Sequence, residues 1–251
     1  MNITPNSFSD GGEILNTDSL LSKLTTFRAI HALDIGAEST APMNDSISAH
    51  EEWGRWQMVL PLIPSFSFAV SADTYHPETI SHLVKFWIDQ KIKVPLIWND
   101  ISGKFDESVS SFLNEGELFH YVLCHNRAPS RDLSGKHMNY VQENPHVLEE
   151  LKDFFIPHIH ERVIFDPCLG FSKSYEENWK ILDNFHNLQA KVPHSRWLLG
   201  FSRKSFLRKK LGMTDIDRIK LDQYHLEILQ KILKVSEGEL WIRTHRPELI
   251  K

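Results

Sequence analysis

The chain has 251 residues, 41% of them hydrophobic, enough to bury a sizeable core and to exclude a disordered polypeptide. No apolar stretch approaches the roughly 18 residues of a membrane-spanning helix, and the N-terminus lacks the apolar core of a signal peptide, so the expectation is a soluble, cytoplasmic protein without a membrane partner. A formal net charge of -5 argues against a nucleic-acid partner held by bulk electrostatics.

The chain opens on "MNITPNSFSDGG", in which Asn2, Thr4, Asn6, Ser7, Ser9 and Asp10 crowd round Pro5 ahead of Gly11-Gly12. From there one cadence repeats: a short apolar run ends in a polar cluster, and an amphipathic stretch follows. "AIHALDIGAEST" ends at Asp34, "FSFAVSADT" at Asp73, "VPLIWNDI" at Asn99-Asp100 and "HYVLCHN" at His125-Asn126. "RVIFDP" then ends at Asp166, "RWLLGFSRK" at Ser202 to Lys204, and "ELWIRTH" at Arg243 to His245. Several of these runs lack alternation, as strands buried on both faces do.

The stretches between them have helical periodicity. Ile80, Leu83, Val84, Trp87 and Ile88 share a face behind Pro77, a residue suited to a first helical turn. Val147, Leu148, Leu151, Phe154 and Phe155 repeat the pattern, as do Leu182, Phe185 and Leu188, ahead of which Ser174 and Glu177 have capping-box spacing. Leu226, Leu229, Ile232 and Leu233 make a further stripe; all of these faces read as core. Strands alternating with helices imply parallel pairing, and about seven units plus the N-terminal stub predict a single-domain (β/α)8 TIM barrel over residues 1–251, with an open doubly wound sheet as the alternative.

A barrel sends the C-terminal end of every strand to one mouth, so the polar clusters are expected to converge. On that view the opening segment is a loop after a first strand. Asp73, Asn99 and Asp166 offer carboxylate and amide groups for the edge of a pterin or purine, since an ionised Asp only accepts while Asn also donates. Arg243 and His245 lie two apart on a predicted strand and so would project to one face as an anion site. Asn2 is a candidate oxygen ligand for Mg²⁺. Cys124 and Cys168 lack metal-type spacing and read as reduced thiols. In "FSRKSFLRKK", Arg208 to Lys210 read as a solvated helix face.

These segments resemble the dihydropteroate synthase family along nearly the whole chain: "NITPNSFSDGG", "DIGAESTAP", "SADT", "WNDI", "FDPCLGFSK", "GFSRKSF" and "IRTH", in order. The resemblance implies that the chain joins a hydroxymethyl-dihydropterin pyrophosphate to p-aminobenzoate, through loss of pyrophosphate and trapping of a pterin cation by the arylamine. It implies a pterin-ring role for Asp73, Asn99, Asp166 and Lys204, and a pyrophosphate and Mg²⁺ role for Asn2, Arg243 and His245. Thr40, Pro42, Phe171 and Ser205 would form the p-aminobenzoate pocket, under a first loop that carries Phe8 and Asp10. A homodimer through a terminal helix also follows from the family.

Three features depart from the family. Ala41 stands where an Arg usually follows "EST"; Cys168, Leu169 and Ser172 interrupt a Gly-rich loop, which stiffens it; and little chain precedes Asn2 or follows "IRTH" to supply a first strand and a last helix. A pterin-binding homologue without turnover is therefore the competing expectation, and a pterin-dependent methyltransferase, whose barrel shares the ring-binding carboxylates, is disfavoured by "SRKSF" and by Arg243 with His245.

Overall fold

The computed structural model describes residues 1, 3, 30–38, 47–128, 130–131, 143–193 and 195–250. They divide into two compact units, Met1–Tyr121 with Pro129–Lys136 and Val122–Ala128 with His137–Lys251.

In the first unit the apolar runs form β1 (Ala32–Gly36), β2 (Ala69–Asp73) and β3 (Leu96–Asp100), paired in parallel. The register sets Gly36 beside Asp73 and Asp73 beside Asn99. At the free edge of β1, the Gly36 N–H donates to Met1 O at 3.0 Å and the Ile3 N–H to Gly36 O at 2.8 Å. This alternation is that of a parallel ladder, so the stub does pair.

Helix α1 (Ala49–Trp56) starts on Ser48, whose hydroxyl accepts from the Glu51 N–H. Helix α2 (Pro77–Asp89) has Pro in its first turn and buries Ile80, Leu83, Val84 and Trp87, while Ile88 is exposed. It ends on Lys91, which holds a left-handed φ of 53° while its N–H donates to Ile88 O and that of Ile92 to Trp87 O. Helix α3 (Glu107–Asn114) is capped by Asp106. Trp98, Phe112 and Tyr121 meet edge to face in this unit's core.

Strand β4 (Phe119–Cys124) gives its first three residues to the first unit and its last three to the second. Beyond it, β5 (Val163–Asp166), β6 (Arg196–Leu199) and β7 (Leu240–Ile242) pair in parallel. Helix α4 (Val147–Phe155) buries Val147, Leu151 and Phe155 against them, and Phe155, Phe165, Phe185 and Trp197 form an aromatic core. The Ser174–Glu177 capping box is present at the start of α5 (Tyr175–Asp183).

The stripe expected to run on through Phe185 and Leu188 is instead a separate helix, α6 (Phe185–Lys191), because Asn184 leaves helical geometry between the two. Helix α7 (Ser205–Lys210) follows β6, and α8 (Arg218–Leu233) buries Leu229 and Ile232 but leaves Leu233 exposed. Among the described residues no helix is long and apolar enough to cross a membrane.

Candidate active site

In the first unit, the polar ends of three neighbouring parallel strands form an acceptor-rich group. Asn99 is buried, and its Nδ2 donates to Asp34 Oδ1 at 3.2 Å, while Ser71 donates its hydroxyl to the same oxygen. Gly36 packs closely on Asp73: a Cβ there would meet Asp73 Oδ2 at 3.3 Å. Behind this row Thr74 is held on every side. Its N–H donates to Asn99 O at 3.1 Å, its carbonyl accepts from Trp98 Nε1 at 2.8 Å, and its hydroxyl donates to Glu52 Oε2 at 2.7 Å. Thr79 donates to the same oxygen of Glu52, whose complete burial raises its carboxyl above the ordinary range.

Asp34, Glu52 and Thr74 were not singled out in the sequence. Asp34 carried a signal as the end of an apolar run; Glu52 carried none, since an acidic residue in a first helical turn normally faces water. Asp100, the neighbour of Asn99, is also buried, and it accepts from Ser102 N at 2.8 Å, from Tyr121 Oη at 3.0 Å and from Arg131.

The second unit supplies cations. Asp166 ends β5 with 3% exposure, and its Oδ1 accepts from the Cys168 N–H at 2.6 Å. The Arg243 guanidinium lies 3.8 Å from Asp166 Oδ2, at the far end of β7. Burial pushes the Asp166 carboxyl up, while Arg243, Lys204 and Lys173 hold it down. Lys204 places its Nζ 3.7 Å from the centroid of the Phe171 ring, a cation–π contact. Gly170 makes room for it, because a Cβ there would meet Lys204 Cδ at 3.0 Å.

Asp166, Phe171, Lys204 and Arg243 are thus brought together. His245 and Ser205 are both exposed. The expectation that Arg243 and His245 share a strand face is corrected here, since β7 ends at Ile242. Arg243 still donates its N–H to Leu199 O at 2.9 Å, but by His245 the chain has left the ladder and the imidazole Nδ1 lies 3.1 Å from Ser202 Oγ. Partial desolvation and the nearby Arg203 hold that imidazole below its ordinary range. Ser205 begins a helix of six residues with Lys204 at its N-cap. Asn2, Phe8, Asp10, Thr40, Ala41 and Pro42 lie outside the described residues.

The interrupted glycine loop keeps its shape at a cost. Cys168 holds φ at 58°, Gly170 at 80° and Ser172 at 46°, so two L-residues occupy the left-handed region. Beside it, Arg127 grips Glu150 through Nε (2.9 Å) and NH2 (2.7 Å), reaches Glu177 at 2.6 Å and donates to Ser172 O at 3.0 Å. Lys173 is wholly buried and donates Nζ to His125 O at 2.7 Å. None of these was foreseen, because their roles depend on partners 20 to 50 positions away. No group of three His, Cys, Asp or Glu side chains able to hold a metal ion occurs among the described residues.

Comparison with known proteins gives the family. Residues 1–237 match the family model described as pterin binding enzyme. The chain is 32% identical over 231 residues to the mitochondrial folate synthesis bifunctional protein of Pisum sativum, covering 82% of this chain and 42% of that protein. It is 31% identical over 229 residues to the dihydropteroate synthase of Bacillus subtilis, covering 87% of this chain and 73% of that one. Among solved structures, a dihydropteroate synthase from Clostridium difficile in the presence of pteroic acid superposes with a TM-score of 0.72 at 25% identity, over 97% of this chain and 88% of that one. The chain spans about two fifths of the length of the bifunctional relatives it matches. On the match over residues 1–237 and the likeness to dihydropteroate synthases, this chain belongs to the pterin binding enzyme family.

Proposed function

We propose that the protein is a dihydropteroate synthase, a transferase of folate synthesis that condenses hydroxymethyl-dihydropterin pyrophosphate with p-aminobenzoate. The observation that carries the reading is the grouping of Asp166, Arg243, Lys204 and Phe171, a buried acceptor flanked by two cations and an aromatic face. In this reading Asp73, Asn99 and Asp166 accept from or pair with the pterin edge, and Lys204 donates to it. Asp73 and Asp166 also stabilise positive charge that develops on the ring as the CH2–O bond breaks, and low dielectric round Asp166 strengthens that effect.

Arg243 and His245 take the negative charge that grows on the departing pyrophosphate. The arylamine nitrogen then bonds to the CH2 carbon and gives up a proton, so no side-chain nucleophile is required. Thr40, Pro42, Phe171 and Ser205 form the p-aminobenzoate pocket, with Phe8 and Asp10 in the loop that closes over it. Mg²⁺, held through Asn2 and substrate phosphate oxygens, would neutralise pyrophosphate charge. The same reading carries closure into an eight-stranded (β/α)8 barrel, one working domain over 1–251, a homodimer and a cytoplasmic location.

The test is binding of the pterin pyrophosphate by titration calorimetry with the wild type and with Asp166→Asn. The wild type is expected to bind and the variant to lose at least tenfold in affinity. Equal affinity of the two would remove Asp166 from the site.

A further inference from the structure

The loop after Asp166 holds two L-residues at left-handed φ, a conformation that persists only where the surroundings over-determine it. At Ser172, buried at φ 46°, Arg127 takes hold twice: its backbone N–H donates to Ser172 Oγ at 3.1 Å and its NH1 to Ser172 O at 3.0 Å. The first of these bonds needs the hydroxyl, so a glycine here would lack it. The guanidinium itself has one place to stand. Nε and NH2 donate to the two oxygens of Glu150 at 2.9 and 2.7 Å, and NH2 and NH1 to those of Glu177 at 2.6 and 3.3 Å. With Ser172 O, all five donors of the planar fork are used. Glu177 is buried and fixed in turn by the N–H groups of Ser174 at 2.6 Å and Asn144 at 3.1 Å. Through these contacts the start of α5 sets the place of Ser172. Phe171 is the residue before it, its N–H donating to Cys168 O at 3.1 Å, while the Gly170 N–H donates to Asn178 Oδ1 at 2.7 Å.

We propose that Arg127 is a positioning residue: it holds the loop over Cys168 to Ser172 in its left-handed turn and so presents the Phe171 ring to the arylamine. Arg127 touches no substrate in this role. That the ring meets an arylamine rests on the function proposed above, whereas the hold of Arg127 on the loop does not. Asp166 is carried by β5, so the pterin end is expected to be spared when the loop loosens. A contact made equally with substrate and transition state acts on KM and leaves kcat alone. Lysine cannot replace Arg127, since three donors on one nitrogen do not span two carboxylates and a carbonyl.

The experiment measures hydrogen exchange and steady-state condensation in the whole protein for the wild type, Arg127→Gln, Arg127→Lys and Ser172→Ala. In both Arg127 variants the Gly170 and Phe171 amides are expected to exchange about tenfold faster, with β6 at the wild-type rate. The KM for p-aminobenzoate should rise about tenfold, with kcat and pterin pyrophosphate affinity within about twofold. Ser172→Ala leaves both ion pairs in place and keeps the test alive should loss of Arg127 prevent folding. It should raise the same KM about threefold and speed exchange of the Arg127 amide. Unchanged loop exchange in the folded variants, a fall in kcat with KM unchanged, or recovery of wild-type values by Arg127→Lys would overturn the proposal. Absence of condensation by the wild type would count against the functional reading alone, and loop exchange would still decide the role of Arg127.

Discussion

The two units answer their carboxylates in different ways. In the first, Asp34 and Glu52 are met by hydroxyls and an amide from Ser71, Asn99, Thr74 and Thr79. In the second, Asp166, Glu150 and Glu177 are met by Arg243, Arg127 and Lys173. Hydroxyl and amide donors fix the orientation of the first group, whereas the cations round the second form part of a field that suits an anion. Asp100 is the exception in the first unit, since Arg131 reaches it.

That exception gives the largest expected effect. Arg131→Leu leaves a fully buried Asp100 without its cation, and loss of one partner of such a pair costs about 3–5 kcal/mol. Urea unfolding should show it, and a loss under about 1 kcal/mol would mean that Ser102 and Tyr121 suffice. Next, Arg243→Ala should lower turnover roughly 100-fold or more by removing a preorganised charge stabiliser. Steady-state rates of pyrophosphate release check this, and an unchanged rate would take Arg243 out of the leaving-group site.

Acid should act mainly on the second unit. Burial pushes both His125 and His225 down to about 4, from 6.5 when unfolded, so the unfolded chain binds more protons between those values. Stability therefore falls as pH drops from about 6.5 to about 4, by up to roughly 1.4 kcal/mol per pH unit for each group. His225→Leu should remove about half of that slope in chemical denaturation at stepped pH, and an unaltered slope would assign it elsewhere. The smallest effect belongs to the left-handed Lys91 at the end of α2, where Lys91→Gly should raise stability by about 0.5–1 kcal/mol without touching activity. A loss in thermal melts would show that the lysine side chain contributes more than its backbone strain costs.

What the sequence made legible follows from which interactions are local. Strand ends at Asp73, Asp100 and Asp166 stood out because parallel strands buried on two faces are apolar until the polar residue that leaves the sheet. The Ser174–Glu177 box was readable because its partners are three residues apart. Where partners are distant the pattern says little. Nothing near Glu52 announces Thr74 and Thr79, and Arg127 finds Glu177 fifty positions on. The same-face placement of Arg243 and His245 failed for a local reason, since period-2 alternation holds only while the chain stays in the ladder, and this strand ends at Ile242. The loss of loop glycines at Cys168 and Ser172 suggested a changed loop. Instead the backbone keeps left-handed φ there and carries the strain.

The central claim is the condensation proposed above. The direct measurement mixes the purified protein with hydroxymethyl-dihydropterin pyrophosphate, p-aminobenzoate and Mg²⁺, and follows pyrophosphate and dihydropteroate together. Equal amounts of the two products, both dependent on p-aminobenzoate, are the predicted result. Firm pterin binding with neither product formed would contradict the account and identify a binding protein without turnover.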